Sequence, residues 1–299
     1  MRISSILLLL ATLLSGGCAN FQTVSEFAKD TSHLTQTVKQ EFAQMEDVCV
    51  RQAEVVIVAA GIADDGPLKA CRRYKAAQGR LAGVTLAVLD DYAEALAALA
   101  VDKSFDVSKE VQGVGKQVAG LKDSDGKPLL AGKEAAALTK IAEVLVNLGA
   151  SREREAAVRR LAAEKDNLAV LGGLLRSFFV APPGPARAPY ANLVSLTASE
   201  LDATQALLRG PALSKAEPIR SFELVRELES RRSLVARRAD PGPNGVAQQM
   251  AGAIDAWLAA LDRFGDEALS RDPKLLLERL KALRAKTAEV RDALHVLGT

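Results

Sequence analysis

Histidine is nearly absent from this chain: His33 and His295 are its only two, near opposite ends of 299 residues. Neither lies three or four residues from a cysteine or another histidine, the spacing that sets two metal ligands on one helix face. No metal site is therefore indicated, and each imidazole reads as a solvated helix-face residue. Aromatic residues make up only 4% of the chain, so its ample apolar content is mostly aliphatic. Neither sign of charge dominates: the formal net charge is +2, and the basic residues do not gather in one segment. That leaves no electrostatic footprint for nucleic acid. No stretch alternates at period two, which argues against strands, and no repeat of fixed period emerges.

The signatures of catalysis are missing as well. No serine sits in a Gly-x-Ser-x-Gly elbow. Gly113-Val114-Gly115 lacks a third glycine and a preceding strand, so it is no dinucleotide site, and Lys116 beside it does not complete a phosphate loop. The carboxylate pairs Asp64/Asp65 and Asp90/Asp91 have no evident acid–base partner nearby. The expectation is a protein without catalytic residues, cofactor or metal.

Abundant alanine, about fifty residues, favours helices and lets them approach closely. Val24, Ala28, Thr31, Thr35, Val38, Phe42, Met45, Cys49, Gln52, Val56 and Ala59 recur at steps of four and three, a coiled-coil-like seam. A helix of up to forty residues follows, loosened where the seam is polar. After the turn at Ala63–Pro67, a second helix is expected over about 67–101, with a thin patch at Ala76, Gly79, Ala82 and Gly83 for a close neighbour. Residues 102–130 are less regular, with a short helix around Val107–Val118.

Helical stripes then run from about Gly132 to Val180, with Ser151 a candidate N-cap inside them. Pro182-Pro183-Gly184-Pro185 stops the helix and makes 181–189 a candidate joint. Four shorter helices are expected beyond it, over 190–209, 215–239, 246 to about 265, and from Asp272-Pro273 to the end. The fold expected is all-α: an elongated bundle of long antiparallel helices with coiled-coil-like packing. Its parts would be 18–181 and 190–299, the second packed on the first as one domain or standing apart.

The first twenty residues carry an address. Arg2 precedes an apolar run from Ile6 to Leu14, about half of what spans a bilayer, and then comes Ser15-Gly16-Gly17-Cys18. This resembles the lipobox of bacterial lipoproteins, with Ser15 where leucine is most common and Leu14 one place earlier. The resemblance covers residues 1–20 only. It implies a signal peptide over 1–17 and a diacylglycerol on the Cys18 sulfur, three acyl chains in all. Ala19, where aspartate would favour the inner membrane, implies the outer membrane with the bulk of the chain in the periplasm; surface display is the alternative.

With Cys18 spent on lipid, Cys49 and Cys71 form an even pair in an oxidising compartment. A disulfide is favoured over two buried thiols. The geometry sets a condition. In a simple hairpin Cys71 would sit about nine residues, or ~13 Å, nearer the turn than Cys49, whereas a bridge needs Cα atoms within ~7 Å. One helix must kink or end early, or the hairpin must be staggered.

Two arginine groups remain. Arg152, Arg154, Arg159 and Arg160 alternate with Glu153 and Glu155, as on a solvated face. Arg231, Arg232, Arg237 and Arg238 form a denser patch, read as ordinary surface or as a docking site for anionic headgroups, glycan or an acidic partner. Phe178 and Phe179 read as core. The functional expectation is a membrane-tethered, non-catalytic partner or scaffold for another envelope protein. The alternatives are a periplasmic immunity or inhibitor protein against a toxin, and a binder of apolar small molecules.

Overall fold

A four–three seam that long needs one unbroken helix to keep its apolar side in register, and the computed structural model has it. It describes residues 18–60, 65–74, 80–104, 108–121, 132–148, 153–180 and 242–298, with single positions at 106, 128 and 130 and between 190 and 240. Helix α1 (Cys18–Ala60) is continuous, and its seam residues Val24, Ala28, Thr31, Thr35, Val38 and Cys49 are all buried. The signal peptide and the proline joint fall outside the described residues.

The chain continues through α2 (Gly66–Tyr74), α3 (Arg80–Ala100), two short helices α4 (Lys109–Gln112) and α5 (Val114–Gly120), α6 (Gly132–Leu148), α7 (Arg154–Ala163), α8 (Lys165–Phe179), α9 (Val246–Glu267) and α10 (Lys274–Gly298). Among the described residues there is no strand, and the protein is all-helical. No helix among them is long and apolar enough to cross a membrane.

Thr31 and Thr35 tie the seam rather than loosen it; the Gln52 side chain lies outside what is described. Thr31 donates to the Phe27 carbonyl at 2.8 Å and accepts from the Trp257 indole N–H at 3.0 Å. Thr35 donates to the Ser32 carbonyl at 3.0 Å and meets the Asp90 carboxylate. Beside Thr31, the Phe27 ring stacks on Phe264 with centroids 4.2 Å apart. Rising positions on α1 thus meet falling positions on α9, so these two helices run in opposite directions. The connection from Glu267 to Lys274 turns the chain back, and α10 runs beside α1 in the same direction, with Arg284 paired to Asp30 and Glu26. One apolar cluster includes residues of α1, α3, α6, α7, α8, α9 and α10.

Several expected boundaries move. The helix foreseen over 151–180 is divided at Glu164, whose N–H bonds to the Leu161 carbonyl at 3.2 Å. That carbonyl also accepts from the buried Tyr92 hydroxyl at 3.4 Å, so it serves two donors from a local turn and a distant helix. Ser151, the expected cap, lies outside the described residues, and Glu153 holds the N-cap position of α7 without a side-chain bond. At α10 the cap comes from the preceding helix: Glu267 accepts from the Leu276 N–H at 3.1 Å, a carboxylate at the positive helix end. The thin patch fails at Gly83, where an added Cβ would meet nothing within 4 Å. Gly172, by contrast, admits a neighbour: a Cβ there would lie 2.6 Å from Leu258 and 2.9 Å from Trp257.

Candidate functional site

Cys18 is the first residue of α1, so no linker of described non-helical chain separates the lipobox-like cysteine from the bundle. Three residues on, the Arg154 guanidinium lies 4.1 Å from the centre of the Phe21 ring. Arg154 also donates to the carbonyls of Leu99 and Ala100, both at 2.8 Å. A cation placed on the last carbonyls of α3 satisfies groups that a helix end leaves open and suits its dipole. The alternating charges around Arg154 had suggested a solvated face. Its guanidinium instead joins α1, α3 and α7, and nothing local in the sequence signals that.

Further along α1 the chain is bridged to α2. Cys49 and Cys71 form a disulfide with Cα atoms 5.9 Å apart. Helix α1 does not end early, since it runs about eleven residues beyond Cys49, whereas Cys71 is about five residues into α2.

The basic patch requires a correction. Arg238 is not a surface residue: its side chain is 3% exposed and donates from Nε to Glu41 at 3.0 Å, and Glu41 is itself fully buried. The Tyr190 hydroxyl donates to the same carboxylate oxygen at 2.7 Å. Phe42, Phe178, Phe179 and Tyr190 pack edge-on and tilted around this group, with Phe178 and Phe179 buried as core. Burial pushes the Glu41 carboxyl above its ordinary range, with Arg238 and Tyr190 working against that. Its second oxygen is buried without a hydrogen-bond partner. A guanidinium so enclosed holds the fold together and cannot dock a partner. Arg231, Arg232 and Arg237 lie outside the described residues.

The open feature is a groove between α1 and α10 of about 500 Å³, lined by Asp30, His33, Gln36, Gln40, Arg284 and Arg291 among others. Buried Asp30 anchors its floor, taking two contacts from Arg284 at 2.8 and 2.9 Å. Burial raises the Asp30 carboxyl, and the Arg284 bond opposes this; the same bond holds the Arg284 guanidinium firmly protonated. His33 and Arg291 are exposed on the rim, and neither is in an ion pair among the described residues. His295 is exposed further along α10.

Of the carboxylate pairs, Asp65, Asp90 and Asp91 have structural work, and Asp64 lies outside the described residues. Asp65 pairs with Lys69 at 2.6 Å. Asp90 meets Lys39 and Thr35, and Asp91 accepts from the Ser108 N–H at 2.8 Å. Among the described residues no group of three metal-ligating side chains stands close enough to hold an ion. What the groove offers is reversible polar contact: an imidazole, the Arg291 guanidinium and two carboxamides along about two helical turns. No protein-family model matches the chain, and neither a curated protein nor a solved structure does.

Proposed function

We propose that this protein is a lipid-anchored, non-catalytic binding or scaffolding partner of another envelope protein. The observation that carries the reading is Ser15-Gly16-Gly17-Cys18 after a short apolar run, with α1 starting at that cysteine. Lipid on Cys18 would hold the bundle at one leaflet, the periplasmic face of the outer membrane, and concentrate it against membrane-bound partners. The long helices, packed along a coiled-coil-like seam, would form an elongated antiparallel bundle that projects from that surface.

The groove between α1 and α10 is the face we assign to the partner, because its rim exposes His33 and Arg291, in no ion pair among the described residues, to acidic side chains. With Asp30, His33, Gln36, Gln40, Arg284 and Arg291 in its lining, the groove does not favour the apolar-ligand alternative. A photo-crosslinker at Gln36 or Arg291, in cells making the full precursor, should trap one defined envelope protein, and the adduct should fade in a Cys18→Ser variant. A monomer with no adduct at either position would remove the partner from the proposal.

A further inference from the structure

We infer that the Cys18 end of the bundle is itself a membrane-docking surface, on which Val101 and Leu275 enter the headgroup layer of the leaflet that holds the lipid. This rests on the lipid-anchor reading, and it adds an orientation: α1 stands end-on to the bilayer.

The register along α1 carries it. Phe21 is three residues from Cys18, ~4.5 Å along a helix. The headgroup layer on each side of a bilayer is ~5–7 Å deep, so a sulfur fixed to glycerol at its base places Phe21 inside it. Arg154 ties the end of α3 to that level through Phe21 and the Leu99 and Ala100 carbonyls. The next residue, Val101, is 57% exposed. Asp102 then takes a left-handed φ of 59°, and the Lys103 N–H closes on the Ala98 carbonyl at 2.9 Å. This helix stop turns the chain at the tip.

The far side of the tip is set by α10. Arg284 reaches Glu26 and Asp30, and Leu275 lies nine residues earlier, ~13 Å back toward Cys18. Glu26 and Asp30 are themselves ~12–18 Å beyond Cys18, so Leu275 and Cys18 share a level. Leu275 is 50% exposed. Among the described residues three large apolar side chains are this exposed, the third being Val146, and two of them stand at the anchored end.

The long side of α1 offers a leaflet the opposite chemistry. Its exposed residues there, among the described ones, are Gln22, Lys29, His33, Gln36, Lys39, Gln40, Ala43 and Glu54; all but Ala43 are polar and would keep water if the helix lay flat. Among the described residues the charges at the tip balance, with Lys103, Arg154, Arg271 and Lys274 against Asp102, Asp106, Glu153 and Asp272. The contact is therefore apolar, and indifferent to anionic lipid and to salt.

The test uses the full-length lipidated protein, reconstituted in phosphatidylethanolamine vesicles with and without phosphatidylglycerol. Nitroxide labels are placed singly through Val101→Cys, Leu275→Cys and His295→Cys, all at exposed positions. Mass spectrometry of the same preparation reports the acyl state of Cys18. We expect labels at 101 and 275 to lose several-fold of their accessibility to a water-soluble nickel chelate and to gain accessibility to oxygen. Neither lipid composition nor salt should alter this, and the label at 295 should stay in water. Acylated protein with all three labels fully wet would overturn the docking surface and leave the anchor standing. A Cys18 without lipid would overturn both.

Discussion

The contact at Gly172 permits a prediction with an internal control. Gly172 and Gly173 are neighbours in α8, one buried against α9 and the other facing solvent. In Gly172→Ala the new methyl would lie 2.6 Å from Leu258 Cδ2 and 2.9 Å from Trp257 Cζ3. Leu258 can swing aside; the indole is held by its bond to Thr31, so α8 and α9 must part slightly. Overpacking of this kind costs ~1–3 kcal/mol. Alanine returns ~0.5–1 kcal/mol of helix preference over glycine. The net expectation is a loss of about 0.5–2 kcal/mol for Gly172→Ala. For Gly173→Ala, where nothing lies within 4 Å, it is a gain of about 0.5–1 kcal/mol. Trp257 is the only tryptophan, so its fluorescence in urea titrations reads unfolding at the contact itself. If Gly172→Ala proves as stable as Gly173→Ala, the close approach of α8 and α9 is wrong.

Three further outcomes follow from buried groups. Arg238→Met leaves the enclosed Glu41 carboxylate unpaired and should cost ~3–5 kcal/mol, much of it recovered when Glu41→Leu is added; equal losses in the single and double variants in urea would disprove the pairing. The Glu41 carboxyl is raised above its ordinary 4.5, so the fold favours its protonated form. That stabilisation is complete below 4.5 and declines as pH rises through the raised value. The stability of wild type relative to Glu41→Gln should therefore fall as pH climbs from about 4, and a rising difference would reverse the sign of the shift. Removing both bridge cysteines as Cys49→Ser/Cys71→Ser opens a loop of 22 residues in sequence separation and should cost about 3 kcal/mol, read as a lower thermal midpoint than the oxidised protein shows.

How much could be read in advance depended on sequence distance. The α1 seam was visible because its spacing is local, as were the helical stripes from about Gly132 and the helix from 246 to about 265. Arg238 was misread because it sits in an arginine-rich run, while the carboxylate that buries it is 197 positions away. Thr31 looked like a weak point in the seam until Trp257, 226 positions on, supplied its partner. The break at Glu164 adjoins a carbonyl that the Tyr92 hydroxyl reaches from another helix, which no propensity could reveal. The α1–α10 groove was missed for the same reason, since His33 and Arg291 become neighbours only when α10 returns alongside α1.

The central claim is the lipid on Cys18, and intact-mass and N-terminal peptide spectrometry of the mature protein from its native envelope tests it directly. The account predicts a polypeptide that starts at residue 18 and carries a thioether-linked diacylglycerol with a third acyl chain on its amino group. An unmodified terminus at any other residue would contradict it.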